Sequence, residues 1–239
     1  MKEHFEIIIL LGRPASGKSE VIDYFKKTPI PERLKRFHIN GFEEIDDFPM
    51  LWTWFEEDAI LEKIMHKPRF HTDSDGYFLH HYQWNLLIER ISLEYEKKLR
   101  DKAYADNMTT LIEFSRGSEH GGYETAFRSL SDDILEKACV LYIDVSYEES
   151  LRKNRRRSNP NRPDSILEHG LPDHKLERLY KEVDWESFKG NDPEFLHFSG
   201  HKIPYAALKN MPEVTDDPQK LGPALEDCLT KLWNIKNKK

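Results

Sequence analysis

Two spacings of apolar residues alternate along the chain. Residues 5–11 form a nearly continuous apolar run containing Ile7, Ile8, Ile9 and Leu10, as expected of a strand buried on both faces. Val21, Ile22 and Phe25 then recur at helical spacing, and this helix should stop at Thr28 because Pro29 and Pro31 cannot continue it. Residues 36–40 read as a short strand, followed by the acidic stretch Glu43, Glu44, Asp46 and Asp47. Trp52, Trp54 and Phe55 lead into a helix carrying Ile60, Leu61, Ile64 and Met65, which ends near Pro68. A polar loop spans 67–81, and Trp84, Leu87, Ile88, Ile91, Tyr95 and Leu99 then mark one stripe of a long helix. Met108–Phe114 predicts a strand, Tyr123 to Ile134 a helix, and residues 139–145 a second doubly buried strand. Ser146 and Glu149 read as a capping box that opens an arginine-rich helix. The proline-bearing stretch 158–172 is a loop, and Leu176, Leu179, Tyr180 and Val183 restore helical spacing. Phe195–Phe198 and 203–208 are short strands around Ser199 and Gly200, and Leu225, Cys228, Leu229 and Leu232 mark the last helix. Strands alternating with helices predict one parallel sheet covered on both faces, in a single domain over 1–239.

Composition narrows the partners. A net charge of −7 over 239 residues argues against nucleic acid, which needs a basic face. No apolar run approaches the roughly 20 residues that cross a bilayer, so no membrane partner is expected. The N-terminus runs straight into the first strand, without the pattern of a signal peptide. Two cysteines make no disulfide framework, and the cytoplasm is the expected compartment.

Between the first strand and first helix lies Gly12, Arg13, Pro14, Ala15, Ser16, Gly17, Lys18 and Ser19, matching G-x-x-x-x-G-K-[ST]. Its glycines let successive N–H groups turn inward, and with the helix's positive end these make a phosphate cradle. Lys18 would reach the terminal phosphates and the Ser19 hydroxyl would sit on Mg²⁺. The plainer reading is a tight turn carrying a surface lysine. In an open parallel sheet, ligands lie beyond the carboxyl ends of strands. That rule makes Asp46, Asp47 and Glu113, with Arg116 just beyond, candidates for orienting an acceptor or holding Mg²⁺; solvated turns and surface pairs are the alternatives. Arg152, Arg155, Arg156 and Arg157 crowd one helix that opens into a loop containing Arg162. Arg152 and Arg156 share a face, so a lid closing over phosphate is the sharper reading and a solvated face the plainer one.

These parts in this order resemble the P-loop nucleoside and nucleotide kinases, most closely the deoxynucleoside kinases. The resemblance rests on the loop at Gly12–Ser19, Asp47 before Trp52, Tyr82 and Gln83 followed by Arg90, Glu113 at a strand end, the arginine lid, and a late loop over 210–217. It implies a P-loop NTPase α/β fold: three α/β/α layers, a central five-stranded parallel sheet and a helical or loop lid at about 152–172. It also implies an acceptor-binding insert at about 41–105. In that family the acid before the tryptophan is the base for a hydroxyl, which falls on Asp47. The acceptor would be bound by Trp52, Gln83, Arg90, Glu113 and Arg116, and Mg²⁺ by Ser19 and Glu113. ATP would be held by the loop, by Arg157, and by Asn210, Pro212, Glu213 and Val214. Lys18, Arg152 and Arg156 would carry charge in the transfer. The family's Glu-Arg-Ser triplet is absent, because Phe114 and Ser115 separate Glu113 from Arg116. Asp46 and Asp47 stay interchangeable as the base. A kinase for a nucleoside monophosphate, with Arg69, His71 and Arg116 holding its phosphate, or for a non-nucleoside alcohol is the alternative. A nucleotide-gated switch is another. The sequence leaves open whether the chain forms a homodimer.

Overall fold

The computed structural model describes residues 3–101, 107–157 and 170–238. Five parallel strands are laid out in the order β2-β3-β1-β4-β6: β1 (Ile7–Gly12), β2 (Gly41–Asp46), β3 (Met108–Phe114), β4 (Ala138–Asp144) and β6 (His201–Lys209). A sixth strand, β5 (Phe195–Phe198), joins the β6 edge antiparallel. The five parallel strands are those the resemblance implies. The sixth exists because Ser199 and Gly200 both take positive φ, 48° and 84°, the backbone of a tight two-residue hairpin.

Alternate side chains of the doubly buried strands feed two cores. Ile7, Ile9, Leu11, Ile112, Phe114, Val140 and Tyr142 pack toward α4 (Tyr82–Arg100), α5 (Gly122–Arg128) and α6 (Asp132–Lys137). Ile8, Leu10, Leu111, Cys139, Leu141 and Ile143 pack toward α1 (Lys18–Lys27), α2 (Ile30–Phe37) and α10 (Pro218–Lys236). The result is three layers, helices on sheet on helices. The remaining helices are α3 (Asp47–Lys63), α7 (Tyr147–Arg157), α8 (Asp173–Tyr180) and α9 (Trp185–Lys189).

Three local expectations are corrected. Residues 36–40 are not a strand. Pro31 lies in the first turn of α2, where its missing N–H costs no hydrogen bond, so the prolines that end α1 also start a second helix. The strand begins at Gly41 and carries Glu43, Glu44 and Asp46 itself. It is one of the sheet's two edge strands, and Glu43 and Glu44 meet Lys98 and Lys26. The helix expected from Tyr123 to Ile134 is two helices, parted at Ser129–Ser131.

The loop after α3 is ordered by one buried carboxylate. Asp58, fully buried in α3, accepts from the N–H groups of Phe70 (2.7 Å), His71 (2.9 Å) and Thr72 (2.6 Å) and from the Thr72 hydroxyl (2.7 Å). Burial alone would raise its pKa, but the four donors outweigh burial and hold it below the ordinary value. A depressed carboxylate pKa adds stability above the unfolded value, and that stability is lost as pH falls through the folded one. Asp58→Ala should therefore cost about 2–4 kcal/mol at neutral pH, an expectation chemical denaturation checks, and the gap should narrow in acid.

Candidate functional site

All five parallel strands end on one edge, so the segments following β1, β2, β3, β4 and β6 converge there. Strand β1, between β3 and β4, leads into the loop at Gly12–Ser19. Two glycines fix its course. Gly12 has φ +154°, and a Cβ there would meet Ser16 Oγ at 2.6 Å and the Ile143 carbonyl at 2.8 Å. Gly17 has φ +114°, and a Cβ there would meet the Thr215 side chain at 2.6 Å.

Gly17 is the N-cap of α1 and provides no side-chain cap. The first N–H groups of a helix have no partner inside it, and among the described residues those of Lys18, Ser19 and Glu20 meet no acceptor. Outer partners clamp the loop. Asn210 Nδ2 donates to the Ser16 carbonyl (2.8 Å), and Ser150 Oγ donates to the Pro14 carbonyl (2.7 Å). Arg13, expected among the nucleotide ligands, points away from the cradle. Its guanidinium donates to the carbonyls of Val145 (2.9 Å), Tyr180 (3.2 Å) and Lys181 (3.1 Å).

Lys18 is buried and folds back over the loop. Its Nζ donates to the carbonyls of Gly12 (3.4 Å) and Arg13 (3.1 Å) and to Ser115 Oγ (2.8 Å), and lies 3.8 Å from Glu113. Strand register sets Glu113 beside Asp46. Burial first, then the charges of Glu113 and Asp47, push the Asp46 carboxyl up to about 8. Burial likewise raises Glu113, against the pull of Lys18, and burial lowers Lys18 against the pull of these acids. Asp46 also caps α3 by accepting from the Phe48 N–H (2.9 Å). Asp47, one residue on, forms a buried ion pair with Arg116 at 2.6 Å. Arg116 further donates to the Ser115 and Trp84 carbonyls and lies over the Trp84 ring.

The other expected residues divide. Gln83 is buried but turned to its own loop: its Oε1 accepts from the His80 N–H (2.8 Å), and its Nε2 lies 3.4 Å from His71 Nδ1. Arg90, two turns on, is exposed, so the helix does not present the two to one pocket. Trp52 is half-buried and donates to Glu56. Arg69 is occupied by Thr72 and Glu62, and His71 is stacked on Trp54.

The arginine helix turns differently from expectation. Ser150, Lys153 and Asn154 face inward, because small Ser150 lets α7 approach Pro14 and Asn154 pairs with Leu171. The arginines therefore line the outer side. Arg152 and Arg156 do share an anion, but it is Glu213 of the late loop (2.7 and 3.0 Å), and Arg155 pairs with Asp173. The chain thus answers three of these arginines with its own carboxylates. The charge of Arg157 is felt at Lys18 and Glu113. Beyond it, 158–169, with Arg162 and most of the expected lid, lies outside the described residues.

In the late loop, Asn210 is buried and accepts from the Val214 and Thr215 N–H groups (2.6 and 3.2 Å). Pro212 is exposed and Val214 half-buried. Burial alone would raise the Glu213 carboxyl, but Lys153, Arg152 and Arg156 hold it down to about 2. Two participants escaped sequence reading. Lys153 is 3% exposed and bonds Glu213 and Thr215, each at 2.9 Å; its spacing from Ser150 was the available signal. His120 stacks on Trp84 at 3.7 Å and accepts from the Gly117 N–H. Burial and then Arg116 push its imidazole down to about 2, and no motif marked it.

Mg²⁺ fits the residues present. Asp46 and Glu113 supply hard oxygen donors, burial and then neighbouring carboxylates raise their pKa values, and Ser19 is exposed at the start of α1. Among the described residues no three His, Cys, Asp or Glu side chains form a metal cage. Mg²⁺ itself takes one or two carboxylates and leaves positions to water and phosphate.

No family model matches the chain, and no curated protein matches it. Solved structures resemble it distantly over nearly their whole length. Kti12 of Chaetomium thermophilum in complex with ADP-AlF3 has a TM-score of 0.47 and 15% identity, covering 96% of this chain and 98% of that one. A gluconokinase from Sinorhizobium meliloti has 0.44 and 13%, covering 98% and 99%. An unliganded sugar kinase from Janibacter sp. has 0.44 and 12%, covering 97% and 98%. Likeness this distant carries nothing about substrate, and the chemistry is read from this chain's own residues.

The acidic cluster has a measurable consequence. Unfolded, the Asp46 carboxyl titrates at about 3.9; folded, it is raised to about 8. The folded chain thus holds a proton that the unfolded chain releases, and stability drains away as pH rises through that window. The melting temperature of the ligand-free chain should fall between about pH 5 and pH 8, and Asp46→Asn should flatten the slope. Equal slopes in the two proteins would contradict this placement of charge.

Proposed function

We propose that this chain is an ATP-dependent, Mg²⁺-requiring phosphotransferase acting on a hydroxyl of a small molecule, with nucleosides and deoxynucleosides as the first acceptor class. The observation that carries the reading is the uncapped start of α1 beneath a buried Lys18. Open N–H donors and a helix's positive end favour phosphate oxygens. In the free chain Lys18 caps the carbonyls of its own loop. Phosphates arriving there would exchange those carbonyls for charged oxygens, a stronger hydrogen bond.

Asp47 is the residue we assign to the acceptor hydroxyl. It is held beside Arg116 at the end of β2, while Asp46 is committed to capping α3 and sits with Glu113. Asp46, Glu113 and Ser19 would hold Mg²⁺, which when bound neutralises phosphate oxygens and orients them. Arg157 would add positive charge from the fourth strand's side. Arg152 and Arg156 act through the late loop, fixing Glu213 and with it the wall beside Gly17.

Two observations favour an uncharged acceptor over a nucleoside monophosphate. Arg116 is already answered by Asp47, and Arg69 by Glu62 and Thr72. Neither is left to hold an acceptor phosphate. Trp84, Trp54 and Phe78 form a separate aromatic cluster beside Arg116 that offers ring faces.

An ATP-consumption assay over nucleosides, sugars, other alcohols and nucleoside monophosphates tests the reading. One uncharged class should stimulate turnover. Lys18→Ala should remove it, and Asp47→Asn should lower it by about 10² or more with nucleotide affinity kept. Nucleotide binding with no acceptor-stimulated turnover would overturn the transferase reading and leave a nucleotide-gated switch.

A further inference from the structure

Not every buried polar group beside Asp47 is answered by the chain. His120 is 3% exposed and sits between two rings, stacked on Trp84 at 3.7 Å and edge-on to Tyr180 at 5.1 Å. The Gly117 N–H points at its Nδ1 (3.3 Å), so that nitrogen carries no proton and the neutral ring holds its hydrogen on Nε2. Nε2 is buried and has no hydrogen-bond partner among the described residues. Arg116, 2% exposed and lying over the same Trp84 ring, bonds carbonyls through its terminal nitrogens, yet its Nε is also buried without a partner. A buried donor without an acceptor costs free energy, and folded proteins hold few of them. Here two lie against one tryptophan, next to the carboxylate assigned to the substrate's hydroxyl.

The chemistry of the two groups selects what can meet them. Both offer a hydrogen and neither can accept one. An oxo oxygen fits, because it accepts hydrogen bonds and brings no hydrogen of its own. An amino group would set N–H against N–H. A hydroxyl or a water would accept but must also place its own hydrogens, and the nearby carboxylate, Asp47, already faces Arg116. Protonation does not change the choice, since a ring pushed down to about 2 stays neutral at ordinary pH.

We infer that His120 is a specificity-determining residue of the acceptor pocket: its Nε2–H, with the Arg116 Nε–H, takes an oxo oxygen of the substrate's base. Nucleosides with an oxo base are then used, and those with an amino group in its place are refused. The inference rests on the phosphotransferase reading for the nucleoside class, and on the two unpaired donors for the choice within that class. In the free chain Tyr180 of α8 lies against His120, so the base enters as α8 lifts.

Matched nucleosides that exchange an oxo for an amino group at one ring position test it: uridine against cytidine, and inosine against adenosine. With ATP and Mg²⁺, the oxo member of a pair should have the higher kcat/KM by about tenfold or more. His120→Phe keeps a ring for Trp84 but loses the N–H, and should bring the ratio near one with nucleotide affinity kept. A second readout needs neither turnover nor a variant. Imidazole nitrogen–proton spectra of the wild-type chain with ADP and Mg²⁺ should show the His120 Nε2 proton move on adding uridine or inosine, and stay still with cytidine or adenosine. Turnover with equal use of both members, or a preference that survives His120→Phe, overturns the inference and leaves the phosphotransferase reading standing. A shifted Nε2 proton without turnover of any nucleoside does the reverse. Neither turnover nor a shift overturns both.

Discussion

A helix must satisfy or expose the N–H groups of its first turn, and α1 has nothing of its own to offer them. Gly17 brings no side-chain oxygen, and the loop before it is tied down from outside. Asn210 holds Ser16, Ser150 holds Pro14, and the Arg13 guanidinium grips three carbonyls behind the loop. The anchors come from the segments after β4 and β6 and from the end of α8, so the clamp draws on much of the fold. What they leave open is the concave side, where unpaired donors and a helix's positive end meet. An ordinary turn would have closed this gap with a Ser, Thr or Asp cap.

The price of that opening is visible in the charges gathered at the same sheet edge. Lys18, Glu113, Asp46, Asp47 and Arg116 are held within one another's fields and largely out of water. Asp47 and Arg116 face each other as a buried ion pair. Burial, and then neighbouring carboxylates, raise the Asp46 and Glu113 carboxyls against the pull of Lys18. Crowding like charges under burial destabilises a fold, and it persists where it serves a site. A divalent cation carrying a phosphate chain would relieve both deficits at once, giving the carboxylates a countercharge and the loop its acceptors.

Much of this was legible in the residues, for identifiable reasons. The doubly buried strands declared themselves as unbroken apolar runs, and Met108–Phe114 is the strand its pattern predicts. The loop at Gly12–Ser19 was legible because its geometry needs glycine at two fixed places. The second helix was missed because Pro31 both ends and begins helices, depending on which turn it occupies. The arginine helix was misread by a rotation. Spacing showed that Arg152 and Arg156 share a face, but not which face the core would claim, and Ser150 and Asn154 decided that through partners far away in sequence. Gln83 was legible as a residue at a helix start but not by its partner, since His80 and His71 reach it through a loop that Asp58 organises. Asp58 and His120 carry no motif, and only their buried surroundings give them roles.

The central claim is that main-chain N–H groups at the start of α1 bind phosphate. Amide nitrogen–proton correlation spectra recorded during a titration with ADP and Mg²⁺ address it most directly, because they report each donor separately. The account predicts saturable downfield shifts of the Gly17, Lys18 and Ser19 amide protons, larger than those elsewhere in α1. Amides that stay unmoved at saturating nucleotide, or shifts confined to a distant surface, would contradict it.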